Sequence, residues 1–262
     1  MSTLDARTSA WAVVAYQLVG AKRFWRSIVI VGIGTPLLYV LALGVGLGAV
    51  INQHGNTLGV PYLQFVAPAF LTAAAVQIAA SAAAFPVTSG FKWQRTYHGM
   101  AATPLSPGQI CDGQLLWIAL RLLVNSTIYL AIMAAFGGAR TAWAVLAIPV
   151  ATLTGAAFAA VVAAMAAWVE KENNLFNTLF RFVVTPMFLF SGTFYPISEL
   201  PRWGQVLAWF SPLWHGTELA RAAALGGGLS APAALGHLAY LLAWLVAGLA
   251  LARWRFRVRL TR

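Results

Sequence analysis

Long apolar runs alternate along the chain with short polar or basic segments. Runs at about 27–50, 61–84, 108–136, 142–168, 174–193 and 231–252 approach or exceed the roughly 20 residues that a helix needs to cross a bilayer core. An outer-membrane barrel would instead show alternating segments of about ten residues, which this chain lacks. The pattern predicts an all-α integral membrane protein with six transmembrane helices, forming a single domain over 1–262. The fifth run is the weakest, because Asn177, Arg181 and Pro186 interrupt it.

Two stretches between the runs have a helical pattern of their own. In the first 26 residues Trp11, Val14, Leu18, Ala21 and Trp25 recur at steps of three and four, which puts them on one helical stripe. The basic residues that close this stretch favour an amphipathic helix lying on an anionic membrane surface; a frayed basic tail is the alternative. Between the fifth and sixth runs lies 194–228, where Pro196, Pro201 and Pro212 break the chain into pieces at about Leu200–Phe210 and Leu213–Leu225. Both pieces are too short to span, and Trp203, Trp209 and Trp214 suit a membrane–water interface. A re-entrant helical hairpin dipping into the outer face is expected here, with an ordinary outer loop as the alternative. Elsewhere, Ser106-Pro107-Gly108-Gln109 reads as a helix start with a capping box.

Composition agrees with the membrane reading and charge adds the topology. The chain is 60% hydrophobic and 9% charged, with a mean hydropathy of +0.76, against about 25% charged residues in soluble domains. Its net charge is +11. The cations cluster at the ends of apolar runs, so membrane topology explains them and a nucleic-acid partner is not needed. The segments 1–26, 85–107, 170–181 and 253–262 hold 13 Lys and Arg, and the opposite loops hold 3. By the positive-inside rule both termini are cytoplasmic and the 194–228 hairpin faces outward. The first 26 residues do not have the layout of a signal peptide. A single cysteine, Cys111, excludes an intrachain disulfide.

The chain carries little chemistry of its own. None of its three lysines ends a G-x-x-x-x-G-K-[ST] loop, its four histidines are scattered, and no nucleophile elbow is present. Neither catalysis nor metal binding is expected. The 85–107 loop packs Lys92, Trp93, Arg95, Tyr97 and His98 together on the cytoplasmic side, where an aromatic-basic helix could dock into a soluble partner. A solvated loop carrying topogenic charge is the alternative. Trp93 and Tyr97 are expected on one helical face. Arg121 lies inside the third run with Asn125 one turn on, either facing protein and a wet path or snorkelling to the headgroups. The Glu170-Lys171-Glu172 knot and Arg181 are further polar candidates.

The loop "FKWQRTYHGMAATPLSPGQI" and the stretch "FSGTFYPISELPRWGQVLAWFSPLWHGTELARAAALGG" resemble the coupling segment and C-terminal signature of ABC-2 type transporter permeases. The resemblance covers essentially the whole chain. It is closest to the subgroup of nodulation-factor, daunorubicin-type drug and polysaccharide exporters. It implies an export permease of an amphipathic drug, lipid or lipid-linked glycan, in the inner membrane of a bacterium. It further implies a homodimer joined to two copies of an ABC ATP-binding subunit, a 2:2 complex set in membrane lipid. No cofactor is expected in this chain, ATP and Mg belonging to the partner subunit. The coupling helix would fall at about Ser89–Met100 and the re-entrant hairpin at about Glu199–Leu225. Coupling would use Lys92, Trp93, Arg95, Tyr97, His98, Glu170, Lys171 and Glu172. A substrate path or gate would use Arg121, Asn125, Phe194, Tyr195, Trp203, Trp209 and Trp214. The coupling loop has only two basic residues, Lys92 and Arg95, where relatives often carry more. A secondary transporter or a channel without an ATPase is the competing class; the former would require midplane carboxylates.

Overall fold

A computed structural model describes residues 3–23, 25–55, 58–169 and 174–261. Among them every regular element is helical. In order they are α1 (Thr3–Arg23), α2 (Trp25–Tyr39), a π-helical stretch (Val40–Leu47), α3 (Gly48–Gln53), α4 (Tyr62–Lys92), α5 (Thr96–Ala101) and α6 (Pro107–Ala135). A short 3-10 turn (Ala142–Leu146) leads into α7 (Ala147–Trp168). Then come α8 (Leu175–Leu179), a second π-helical stretch (Phe180–Val184) and α9 (Thr185–Phe190). A single 3-10 turn (Ile197–Glu199), α10 (Arg202–Trp209), α11 (Pro212–Leu225) and α12 (Ala231–Leu260) complete the chain.

Five of the described helices are long and apolar enough to cross a membrane: Gly32–Gln53, Tyr62–Lys92, Pro107–Ala135, Ala142–Trp168 and Ala231–Leu260. The remaining expected crossing, 174–193, is the shorter apolar helix Leu175–Phe190. The centre of the fold is α4, whose apolar residues are buried nearly all round, packed on α7. Small residues permit the closeness. Gly155 of α7 sits where an added Cβ would lie 3.0 Å from the Ala75 carbonyl oxygen of α4, the small-residue packing that membrane helices favour. At Gly248 of α12 a Cβ would come within 2.8 Å of Ala160 of α7.

Several boundaries differ from those the sequence predicts. The second helix runs on through Pro86 to Lys92, so 85–92 is helix rather than loop. The last helix continues to Leu260 rather than stopping near 252, because Phe256 and Arg255 are buried against the bundle. The stripe of α1 that meets the protein is also shifted. Val13 and Val14 are buried and Gln17 is half-buried, while Trp11 and Leu18 are exposed. The reason is the seat on α6, where Gly113 lets Val13 Cβ approach to within 2.6 Å of an added methyl. Tyr16, Leu18 and Val19 therefore point away from the bundle. The capping box forms as expected, the Gln109 amide donating to Ser106 Oγ at 3.3 Å and the Ser106 amide to Gln109 Oε1 at 2.8 Å.

Candidate functional site

Polar chemistry gathers at the two ends of the bundle, about 45 Å apart along the 31-residue α4. At one end α4 stops at Lys92, and the Trp93 and Gln94 amides both donate to the Ser89 carbonyl. Arg95 then takes a left-handed conformation (φ 51°), which turns the chain into α5. This break separates Trp93 from Tyr97, so the two do not share a helical face. Trp93 is 63% exposed and Tyr97 only 2%. Arg95 and His98 are exposed with Trp93, and the Lys92 ammonium lies 5.9 Å from the Trp93 ring centre. The tyrosine instead sits in an aromatic core with Phe91 at 4.8 Å and Phe256 at 5.5 Å between ring centres. Gly90 is required there, since a Cβ would lie 2.5 Å from the Tyr97 ring. Burial pushes the Tyr97 phenol above its ordinary value, with smaller pushes in the same direction from Cys111 and Tyr16. Glu170, Lys171 and Glu172 lie outside the described residues.

The basic C-terminal segment braces this end, a role its charge pattern does not announce. Arg259 donates to the Ala166 and Ala167 carbonyls at 3.2 Å and lies over the Phe91 ring. It thereby satisfies carbonyls that the end of α7 leaves without helical partners. Arg255 stacks over Trp168 at 4.1 Å. Arg253 forms a two-point ion pair with Asp112, at 2.6 and 2.9 Å.

At the other end α11 is wedged against α4 and α7. Gly216 permits this, because an added Cβ would collide with the Thr154 side chain. Thr217 and Thr72 share a buried hydrogen bond at 3.0 Å. Arg221, 8% exposed, is the main fastening. Its guanidinium donates to the Phe65 carbonyl at 3.2 Å, the Gly192 carbonyl at 2.6 Å and Glu218 at 2.6 Å. It also lies 3.9 Å from the Phe65 ring centre. The broken backbone around α10 is satisfied in the same manner. Tyr240 donates to the Phe210 carbonyl at 2.7 Å and Gln205 to the Leu200 carbonyl at 2.8 Å. Such partners are obligatory wherever irregular backbone enters an apolar medium.

The expected gate residues divide into four groups. Phe194 joins an aromatic cluster with Phe70 at 5.4 Å and Phe188 at 5.1 Å, and its carbonyl accepts from Tyr62; Tyr195 reaches back to the Leu189 carbonyl at 3.3 Å. Trp203 and Trp209 are exposed. Trp214 is not. It packs among His215 and His237, with its indole nitrogen buried and without an acceptor. The two histidines meet at 2.7 Å through their Nδ1 atoms, tying α11 to α12. Arg121 and Asn125 lie elsewhere. Asn125 donates to the Arg121 carbonyl at 2.7 Å and abuts Gly32 of α2, while Arg121 lines a separate recess beside α1.

One helix presents polar groups outward. Asn177, Arg181 and Thr185, together with Phe180, line an open recess of about 590 Å³ on the α8–α9 helix. All three polar side chains are exposed. The π-helical stretch lies between them, with the Thr185 hydroxyl bonded to the Phe180 carbonyl five residues back. Insertions of this type are frequent at functional sites. The sequence singles out Arg181 and the interruption of the fifth apolar run, but not the alignment of Asn177, Arg181 and Thr185 on one surface. The fastening role of Arg221 was visible only as an arginine inside the C-terminal signature.

The chain matches the ABC-2 type transporter family over residues 8–225. It is similar to Nodulation protein J of Rhizobium leguminosarum bv. viciae, 32% identical over 232 residues that cover 86% of each chain. Nodulation protein J of Sinorhizobium fredii is 32% identical over 200 residues, 74% of each chain. That of Rhizobium meliloti is 27% identical over 209 residues, 78% of each chain. No solved structure matches.

Proposed function

The chain belongs to the ABC-2 type transporter family, and from that premise we propose that it is the permease of an exporter that works as a homodimer. Two copies bind two copies of a separate ATP-binding subunit, which holds ATP and Mg. The substrate is amphipathic: a drug, a lipid or a lipid-linked glycan. It leaves the cytoplasm or inner leaflet of a bacterial inner membrane. Both termini are cytoplasmic, the short Leu175–Phe190 helix completes six crossings, and α10–α11 form the re-entrant outer hairpin.

The observation that carries this reading is the bare polar face Asn177–Arg181–Thr185. A cation and an amide cannot face lipid on an apolar helix without a large cost. The face therefore borders a second copy or a water-filled path, and a path between two copies satisfies both conditions. The neighbouring α2–α3 surface is apolar and uncovered, exposing Ile30, Leu38, Val45 and Val50, which suits the rest of the contact. At the cytoplasmic end Lys92, Trp93, Arg95 and His98 form the surface offered to the ATPase, with Tyr97 holding it in place from beneath. Secondary transport is disfavoured because Asp112 and Glu218 are each paired with an arginine.

In a Cys111→Ala background, Arg181→Cys should give a covalent dimer with a short bifunctional thiol reagent. Val246→Cys, exposed on α12, should not. Dimers from Val246→Cys and none from Arg181→Cys would overturn the arrangement.

A further inference from the structure

A second polar recess lies apart from both the outer hairpin and the Asn177–Thr185 face. It occupies about 280 Å³ between α1, α4 and α6, with Gln17, Gly20, Gln114, Trp117 and Arg121 in its lining. We infer that it holds the phosphate headgroup of an acidic phospholipid, with Arg121 as the anion's ligand.

Three observations carry this. First, the Arg121 Nε is buried without any hydrogen-bond partner. A buried cationic N–H left without an acceptor is costly, so an acceptor of opposite charge is expected in the recess. Second, the described part of the protein does not supply that anion. Asp112 is held by Arg253 and Glu218 by Arg221, and Glu199 is exposed beyond α9 at the far end.

Third, the depth is right for a headgroup. Gln17 of α1 donates to Gln114 at 2.6 Å, which fixes Gln114 at the level of the surface helix. Arg121 lies about 10 Å further along α6. Helical side chains lean toward the N-terminus, so its guanidinium swings back toward Gln114. The cation thus reaches the boundary between headgroups and acyl chains, beside the apolar walls of Ala82, Pro86, Trp117 and Ile118 that suit a glycerol backbone and the first methylenes. Basic pockets between membrane helices at this depth recognise anionic headgroups. Placing the site in the inner leaflet rests on the orientation proposed above, whereas the lipid preference does not. The two can therefore fail separately.

The test is retention of phosphatidylglycerol against phosphatidylcholine by the purified full-length protein, counted by native mass spectrometry. Wild type should prefer phosphatidylglycerol by about fivefold or more, the ratio expected for one arginine at an anionic group. Arg121→Gln should remove the preference and Arg121→Lys should keep part of it. Gly20→Leu provides a route independent of charge, since a Cβ at Gly20 meets no heavy atom within 4 Å and a larger side chain would fill the recess. It should also remove the preference. Arg140→Gln, an exposed cation at the other end, should change nothing, and soluble glycerol phosphate should not displace the lipid. A preference that survives Arg121→Gln or Gly20→Leu, or that falls equally with Arg140→Gln, would overturn the site. Displacement by glycerol phosphate would overturn the lipid assignment.

Discussion

Replacing Arg221 should release α11 from the bundle while leaving the membrane helices in place. The guanidinium makes two bonds to main-chain carbonyls, at 3.2 and 2.6 Å, and one to Glu218. Hydrogen bonds to a charged donor contribute about 1.5–3 kcal/mol each when buried, and stacking over Phe65 adds about 1 kcal/mol. Glu218 is partly exposed, so water recovers much of that bond and it is left out of the sum. The two carbonyl bonds and the ring contact together give about 4 kcal/mol, or nearly three powers of ten in the equilibrium for local opening. A thiol reports this directly. With Ala220→Cys in a Cys111→Ala background, the cysteine is buried in α11 at a position with no exposure, and it reacts only when the helix opens. Arg221→Gln should raise its labelling rate by about two to three powers of ten at fixed pH. Arg202→Gln, an exposed cation on α10, should not. A change below about threefold with Arg221→Gln would mean that the hairpin is held by packing alone.

Other perturbations separate the two ends. Trp93→Ala and Arg95→Gln should weaken binding of the ATP-binding subunit without changing thermal stability; Tyr97→Ala should cost about 3–5 kcal/mol of stability, as large-to-small core changes do, read as a lower unfolding midpoint. Gly216→Ala should loosen α11, read as faster thiol labelling, and Thr154→Gly should restore it by removing the side chain that the new methyl meets. Burial holds His215 below the ordinary imidazole value; the Trp209 carbonyl bond opposes this and His237 adds to it. The folded state therefore binds fewer protons than the unfolded state, so this contribution is complete above about pH 6.5 and is lost as pH falls below it. The unfolding midpoint should drop between pH 7.5 and 5.5, and His215→Phe should flatten that dependence.

Much of this architecture is readable from the residues. Apolar run length locates the long helices because a bilayer fixes the requirement, and Ser106–Gln109 announces a helix start because its two bonds are local. What escapes the sequence is contact between distant segments. Tyr97 looks like an exposed anchor beside Trp93 until Gly90 and Phe256 close over it. The arginines after 252 look purely topogenic, although Arg259 braces the end of α7 and Arg253 neutralises Asp112. On α1 the period is correct, but the choice of packed stripe depends on Gly113, a hundred residues away. The π-helical stretch at Phe180–Val184 left no trace beyond an interrupted apolar run.

In the proposed function this chain is a substrate path driven by a separate ATPase. Co-purification with the ATP-binding subunit, followed by reconstitution in liposomes, tests it most directly. The expected result is a 2:2 complex whose transport of an amphipathic substrate requires ATP and is abolished when the ATPase is left out. Robust transport by this chain alone, without nucleotide, would contradict it.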